Sequence, residues 1–493
     1  MPSAVQRYKR LLSAALARYF PHTTAYLRAE READASLKKP APRSQKAAAK
    51  AKTDSAQAQS KPRRAASKPS TQGIYGPAML AVDATQSQAM REQVARAVTA
   101  GLLSAPSDEQ WAMILGHHPL TRIFAGAGSG KSTTLVLRVV FMFCHLGIKP
   151  EQLTVISFTN ASCTELREQL CKVLGFFNYP FDSVQARQCV RTFHSAMGSV
   201  AKSLLDNPRW FEQLDDPQAA SRELDNPLSA ARLRPAQQRL LKQAYQQCYV
   251  EQPVFRQRVH SLLQLPLPSA QSKRLPKAPL DAYKLAGEFS AAPLYEAFYA
   301  QAGFAESIGI TVAALQPQAL TGPAAVREFS EALLLFWPYF ERCLQAQGLM
   351  TFNGAFAQQT VRLSAGGQGV SAQLLAPFSH LLIDEFQDIS PQIVLWLQAV
   401  QRAQAGQGAT VSLMAIGDDW QSIYGWRGSS PELFIDFDRH FPGKGKAKRS
   451  AVLTLANNYR SIEPIIRDAE ALLGGVQHKQ AKASQAIKAT QPG

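Results

Sequence analysis

Cysteine is scarce and dispersed: six in 493 residues (Cys144, Cys163, Cys171, Cys189, Cys248 and Cys343), with no C-x-x-C pair. That excludes a disulfide scaffold and a zinc ribbon, and it fits a reducing, cytoplasmic setting. Long apolar runs are also missing. A membrane helix needs roughly 18 to 20 uninterrupted apolar residues; the best candidate, Thr133 to Cys144, is short and carries Arg138. No integral membrane protein is expected. The N-terminus has no apolar core of the kind a secretory signal requires. No internal repeat is evident. Charged residues make up only 18%, and acids are the scarcer sign, 37 Asp+Glu against 54 Lys+Arg, a formal +17. The excess favours a polyanionic partner and speaks to association, not to fold.

What is present is enough for two or three domains, with 46% apolar residues to bury real cores. Residues 1–37 open with a basic amphipathic helical pattern, VQRYKRLLSAALARYF. Lys38 to Gly73 carries ten Lys/Arg against one acid, Asp54, a net +9. With almost no aromatic or β-branched residues it cannot offset its ordering entropy, so a disordered basic linker is expected over 38–75. It reads either as a non-specific phosphate-binding arm or as a solubilising linker.

From about 76 the composition turns globular. LTRIFAG, QLTVISFTN, LLIDEF and VSLMAIGDD read as short strands, each running into a polar loop or a helical pattern. Such alternation predicts an α/β fold, a parallel sheet flanked by helices whose ligands bind at the carboxyl ends of the strands. Residues 201–345 change to long helical runs broken by a Pro-rich stretch, expected as a mostly helical insertion between a first part at 76–200 and a second at 346–445.

The strongest local signal is Ala125-Gly126-Ala127-Gly128-Ser129-Gly130-Lys131-Ser132, directly after an apolar strand and before a helical run. It has Ala where the strict P-loop pattern has its first Gly; the remaining spacing is intact. Glycines let backbone N–H groups close around phosphate oxygens, and the helix N-terminus adds a favourable dipole. Lys131 would neutralise the β- and γ-phosphates, and the Ser132 hydroxyl would ligate Mg²⁺. The second half of the site is Leu381-Leu382-Ile383-Asp384-Glu385-Phe386-Gln387-Asp388. Asp384 at the strand tip would hold Mg²⁺, and Glu385 would orient or deprotonate the attacking water. No N-K-x-D guanine motif appears.

D-E-F-Q-D after a hydrophobic strand, with A-G-A-G-S-G-K-S upstream, resembles the UvrD/Rep/PcrA group of superfamily-one DNA helicases, most of all in the manner of helicase IV. Five further segments match in order: Pro106–Gln110 the Q motif, Ile156–Asn160 F-T-N, Thr192–Ser195 T-F-H-S, Ala415–Gly428 the G-D-x-x-Q-S-I-Y-x-[FW]-R-G block, and Asn458–Ser461 N-Y-R-S. The resemblance implies a RecA-like P-loop NTPase lobe that uses ATP and Mg²⁺ and moves on single-stranded or tailed DNA, 3′ to 5′. It implies that Gln110 reads the adenine, Tyr459 stacks on it, and Gln421 and Arg460 contact the γ-phosphate. It further implies that Tyr424 and Trp426 stack on bases, with Asn160 and His194 also at the DNA, Phe158 and Phe193 either at the DNA or packed in the core, and Arg427 either bridging the two sites or packing. Stacking tolerates any base and suits a motor that does not read sequence. The insertion corresponds in position to the family's 1B subdomain. Thr133 stands where several relatives carry an Arg under the adenine.

No K-G-L-E or T-R-A block follows Arg460, so 446–493 is expected to be the start of an incomplete second lobe. Two expectations result: a UvrD-type ATPase and helicase whose missing lobe another polypeptide would supply, or a non-translocating ATP- and DNA-binding module or fragment.

Overall fold

The computed structural model describes residues 73–219, 222–225, 232–268, 277–285, 290–320, 323–365, 370–461, 466–467, 470 and 484–487. The N-terminal helix expected over 1–37 and nearly all of the linker expected over 38–75 lie outside the described residues. The elements belong to the compact unit formed by Ser70–Tyr283 and Ala291–Gly493.

Six parallel strands form the central sheet: β1 (Leu120–Ala125), β2 (Leu153–Ser157), β3 (Val190–Thr192), β8 (His380–Ile383), β9 (Ser412–Gly417) and β10 (Ala451–Leu455). Their order is β10-β1-β9-β8-β2-β3. Alternate residues face opposite sides of a strand, and the core divides accordingly. Leu120, Phe124, Ile156, Leu381, Ile383, Leu413 and Ala415 join the cluster that contains Trp396, Phe434 and Phe441. Ile123, Ala125, Val155, Leu382, Met414 and Ile416 face the other, under helices Lys131–Cys144 and Asn160–Phe176. Both faces are covered, which is why the strands read as apolar runs. This is the parallel α/β sheet expected from the alternation of strands and helices, and the RecA-like lobe that the resemblance implies.

Short polar residues start the helices where the strands stop. The Thr159 side chain accepts the Ser162 N–H ahead of helix Asn160–Phe176, and Thr192 accepts the Ser195 N–H ahead of helix Phe193–Leu204. Such caps contribute about 0.5–2 kcal/mol each.

The chain leaves the sheet at β4 (Arg209–Trp210) and returns at β7 (Leu349–Met350), which pair in parallel. Between them are the antiparallel pair β5 (Ala282–Tyr283) and β6 (Ala292–Pro293) and the helices Pro235–Glu251, Pro253–Leu263, Leu294–Ser307 and Ala324–Ala346. These helices share an aromatic core of their own: Phe298 and Phe329 rings lie 4.8 Å apart, and Phe255 stacks with Phe336 at 6.4 Å.

Two boundaries differ from expectation. Gly73–Tyr75 is ordered structure at the end of the supposed linker, because Ile74 and Tyr75, its two large apolar residues, are buried at 3% and 0% exposure. Residues 451–455 do not open a second lobe at 446: β10 fills the sheet edge beside β1, from Thr121↔Ala451 to Ala125↔Leu455. The next pairing, β11 (Asn457–Asn458) with β12 (Gln485–Ala486), is a separate two-stranded sheet.

Candidate nucleotide site and nucleic-acid surface

β1 ends at Ala125 and a helix begins at Lys131, so Gly126–Gly130 forms a loop at the carboxyl end of the sheet. Gly128 has φ +69°, and a Cβ there would fall 2.6 Å from the Arg460 Cβ. Only glycine permits both the backbone and that approach. The segment after β10 is hydrogen-bonded along this loop. Gly126 N–H donates to the Leu455 carbonyl at 3.1 Å, Tyr459 N–H to Gly128 at 2.9 Å, and Asn458 Nδ2 to Ala127 at 2.9 Å. Glu109 closes the arrangement by accepting the Ala456 N–H at 2.9 Å. Gln110 caps its own helix through Oε1 and donates from Nε2 to the Ser129 carbonyl at 3.1 Å. Ser129 Oγ is buried with no hydrogen-bond partner among the described residues.

The acids stand on the neighbouring strand tip. Asp384 extends the β2–β8 ladder, its N–H donating to Ile156 at 2.9 Å, and it is only 5% exposed. Glu385 takes a left-handed backbone, φ 52°. A non-glycine residue there costs of order 1–3 kcal/mol, and such strain gathers at functional sites. Lys131 Nζ lies 3.8 Å from Glu385 Oε1. Burial first, then the Glu385 charge, pushes the Asp384 carboxyl up to about 7, against the pull of Lys131. A buried carboxyl crowded by a second one is a place that a divalent cation would relieve. Among the described residues no group of three His, Cys, Asp or Glu could hold a metal unaided. Asp384 and Ser132 would supply two ligands, which suits Mg²⁺ held mainly by phosphates and water.

Gln387, in the D-E-F-Q-D motif but assigned no role by it, connects this tip to the next loop. Its Nε2 donates to Glu385 Oε2 at 2.9 Å and to Asp388 Oδ2 at 3.3 Å; its Oε1 accepts the Asp418 N–H at 3.0 Å. Ser422 Oγ donates to the Gln387 carbonyl at 3.3 Å, and Ser429 Oγ to the Asp388 carbonyl at 2.6 Å. Gln421 lies in the same loop, with Nε2 donating to Asp418 Oδ2 at 2.6 Å.

A cavity of about 520 Å³ opens beside the loop, lined by Gln110, Gly128, Gly130, Thr133, Tyr459 and Arg460 among others. Its remaining wall is largely apolar, with Leu102, Pro106, Val136 and Val173. A flat base with its phosphates toward Lys131 would meet apolar faces and a few polar edges, as ligand pockets require.

Aromatic side chains gather on the 424–427 loop. Phe158 and Tyr424 stack at 5.5 Å and 15°, and the Arg427 guanidinium lies 5.3 Å from the Tyr424 ring and 5.8 Å from that of Trp426. Trp426 is 68% exposed. Asn160 is turned elsewhere, its Nδ2 donating to the Glu223 carbonyl at 3.2 Å. Phe193 and His194, expected at the DNA with these rings, are buried instead. Phe193 belongs to the core, and His194 packs against Phe352 at 5.1 Å and Phe356 at 5.5 Å. The reason is periodicity: both open a helix whose apolar face covers the sheet, so neither presents a ring to solvent.

Among the described residues no helix is long and apolar enough to cross a membrane. The sequence model of the UvrD/REP helicase N-terminal domain matches residues 107–442. The chain is 26% identical to DNA helicase IV of Escherichia coli, over 68% of this chain and 42% of that protein. It is 24% identical to DNA helicase II of the same organism, over 76% and 41%. It is 23% identical to the putative ATP-dependent DNA helicase YjcD of Bacillus subtilis, over 74% and 38%. The chain thus spans about two fifths of the length of these relatives. With the family's domain matching most of the chain, and the loop, acids and aromatic block set around one end of a parallel sheet, this protein belongs to the UvrD/REP helicase family.

Proposed function

We propose that this chain binds and hydrolyses ATP in step with single-stranded DNA, as the nucleotide-binding lobe of a UvrD-type helicase. The observation that carries the reading is the Lys131–Glu385 approach at 3.8 Å, with Gln387 joining Glu385 to the loop that bears Tyr424 and Trp426. ATP phosphates would lie on the N–H groups of Gly126–Lys131, with the Lys131 ammonium moving from Glu385 to the β- and γ-oxygens. Ser132 and Asp384 would hold Mg²⁺, which neutralises charge on those oxygens when bound. Glu385, freed from Lys131, would orient the attacking water and accept its proton. Tyr459 and Gln110 would bound the base, and Arg460, beside Gly128, would face the phosphates. Phe158, Tyr424, Trp426 and Arg427 would stack on unpaired bases. Asn160, held on the Glu223 carbonyl here, would have to release that bond to reach the surface. Gln421, on Asp418 here, would turn toward the γ-phosphate when nucleotide enters. Movement along a strand, its 3′ to 5′ direction, and a second lobe closing from this or another polypeptide belong to the same proposal.

The test is steady-state ATP hydrolysis with and without single-stranded DNA, beside Lys131→Ala. DNA-stimulated turnover that the substitution abolishes supports a working site. Tight ATP binding with negligible turnover would replace it with a nucleotide-gated DNA-binding module.

A further inference from the structure

The loop Pro442–Ser450 lies at the other end of the sheet from the nucleotide site. All six strands are parallel. The Gly126–Gly130 loop, the acids and the 424–427 loop leave carboxyl ends, whereas this loop enters the amino end of β10. One strand length, roughly 16 Å at about 3.3 Å per residue, separates the two ends. Within six positions it carries Lys444, Lys446, Lys448 and Arg449, all exposed, and none of the four has an ion-pair partner among the described residues. The acids beside it on the preceding segment are Asp436 and Asp438, and Asp438 Oδ1 already accepts the Ser450 N–H at 2.8 Å.

The backbone beneath these cations is fixed. Ile74 N–H donates to the Pro442 carbonyl at 2.7 Å, and Lys444 N–H to the Tyr75 carbonyl at 2.8 Å. Tyr75 is fully buried, and its hydroxyl donates to Gln401 Oε1. A Cβ on Gly443 would fall 1.8 Å from the Ala447 carbonyl oxygen, so the turn folds back as closely as only glycine allows. Ala447 is buried as the anchor of the turn, with Lys446 and Lys448 exposed on either side. In sequence, the tract of net +9 runs directly into the Gly73–Tyr75 segment that holds this loop.

We infer that Lys444–Arg449 is a second nucleic-acid contact, a fixed set of cations for the phosphodiester backbone of DNA at the amino end of the sheet. Four flexible cations on a preformed turn suit closely spaced anions and read no sequence. Ordering the backbone costs nothing at binding, since the fold has already done so. The turn itself presents charge alone, since Ala447 is buried and the exposed Val452 lies beyond it on β10, which favours the nucleic acid over an acidic peptide that needs an apolar seat. The inference shares with the proposed function only the premise that the chain binds DNA; it needs neither ATP nor the aromatic surface.

The experiment is fluorescence anisotropy on a tailed duplex without nucleotide, across a salt series, for the whole chain and its K444A/K446A/K448A/R449A variant. Each lost phosphate contact lowers the slope of log affinity against log salt by about 0.7–0.9, so a fall of about 3 to 4 is expected for the four cations. The charge-keeping variant K444R/K446R/K448R/R449K should retain the original slope, which separates lost charge from lost fold. An unchanged slope in the alanine variant overturns the inference, as does poly-glutamate competing as well as DNA at equal charge. Trp426→Ala should weaken binding and keep the slope. A chain that binds DNA in no form would overturn both the inference and the proposed function, whereas a normal slope in the loop variant alone removes only this contact.

Discussion

Gln387 accepts the backbone N–H of Asp418 at 3.0 Å through the same side-chain amide that donates to Glu385 at 2.9 Å. One residue therefore holds the acid at the strand tip and the start of the loop that presents Tyr424 and Trp426. A hydrogen bond to a charged group is worth about 1.5–3 kcal/mol, or roughly 10- to 100-fold in rate. Gln387→Ala should lower DNA-stimulated ATP turnover by that factor, leave KM for ATP within about twofold, and reduce the stimulation ratio more than the basal rate. Equal loss with and without DNA would mean that Gln387 supports Glu385 alone.

The exposed Trp426 ring should act only at the DNA. Trp426→Ala is expected to weaken single-strand binding by about 1–3 kcal/mol, with DNA-free ATP hydrolysis unchanged. A loss of DNA-free turnover would place Trp426 in the fold of the site.

Gly128 touches Arg460 too closely for any side chain. Gly128→Ala should push the Asn458–Arg460 segment off the loop and raise the Kd for ATP at least tenfold, read by isothermal titration. Thermal stability should fall by only a few degrees, because the contact is local. Wild-type affinity would show that the loop relaxes without the segment.

One buried group and one half-buried group give stability slopes of opposite sign with pH. Burial drives the His194 imidazole down to about 3, and the Arg427 charge adds to this. The unfolded chain takes up this proton near 6.5 and the folded chain does not, so stability is lost as pH falls from about 6.5 toward 3. Burial, then the charges of Glu212 and Glu341, raise the Glu306 carboxyl to about 8. Here the folded chain holds the proton more tightly, so stability is lost as pH rises from about 4.3 toward 8. Glu306→Gln should raise Tm at pH 8.5 and leave it unchanged at pH 4, and His194→Phe should flatten the acid limb. A wild-type acid limb in His194→Phe would assign that limb to other groups.

The nucleotide loop and the acid pair were legible because each combines a rare local pattern with an apolar strand before it. The alternation of Ile123, Phe124 and Ala125 between two cores has the same origin, a period that sequence displays directly. What stayed hidden depends on partners far along the chain. Gln387 is one amide in a polar block, and only the fold brings Asp418 to it. Ala451–Leu455 falls in the segment expected to open a second lobe, yet it pairs with β1 at the edge of the sheet, a placement that depends on a strand some 330 residues earlier. For Phe193 and His194 the motif alone does not decide between stacking on a base and packing; the helix that they open lies on the sheet, and that buries both rings.

The parallel pairing of Arg209–Trp210 with Leu349–Met350 has a practical meaning. The excursion between them leaves and rejoins the lobe through adjacent strands, about 4.8 Å apart, and its described helices pack around aromatic residues of their own. It is a cassette with its two ends side by side. A shorter helical hairpin could be spliced across that doorway while the six-stranded lobe kept its register, provided that it restored two contacts the excursion makes with the proposed DNA surface, Ser307 Oγ on the Arg427 carbonyl and the Glu223 carbonyl on Asn160.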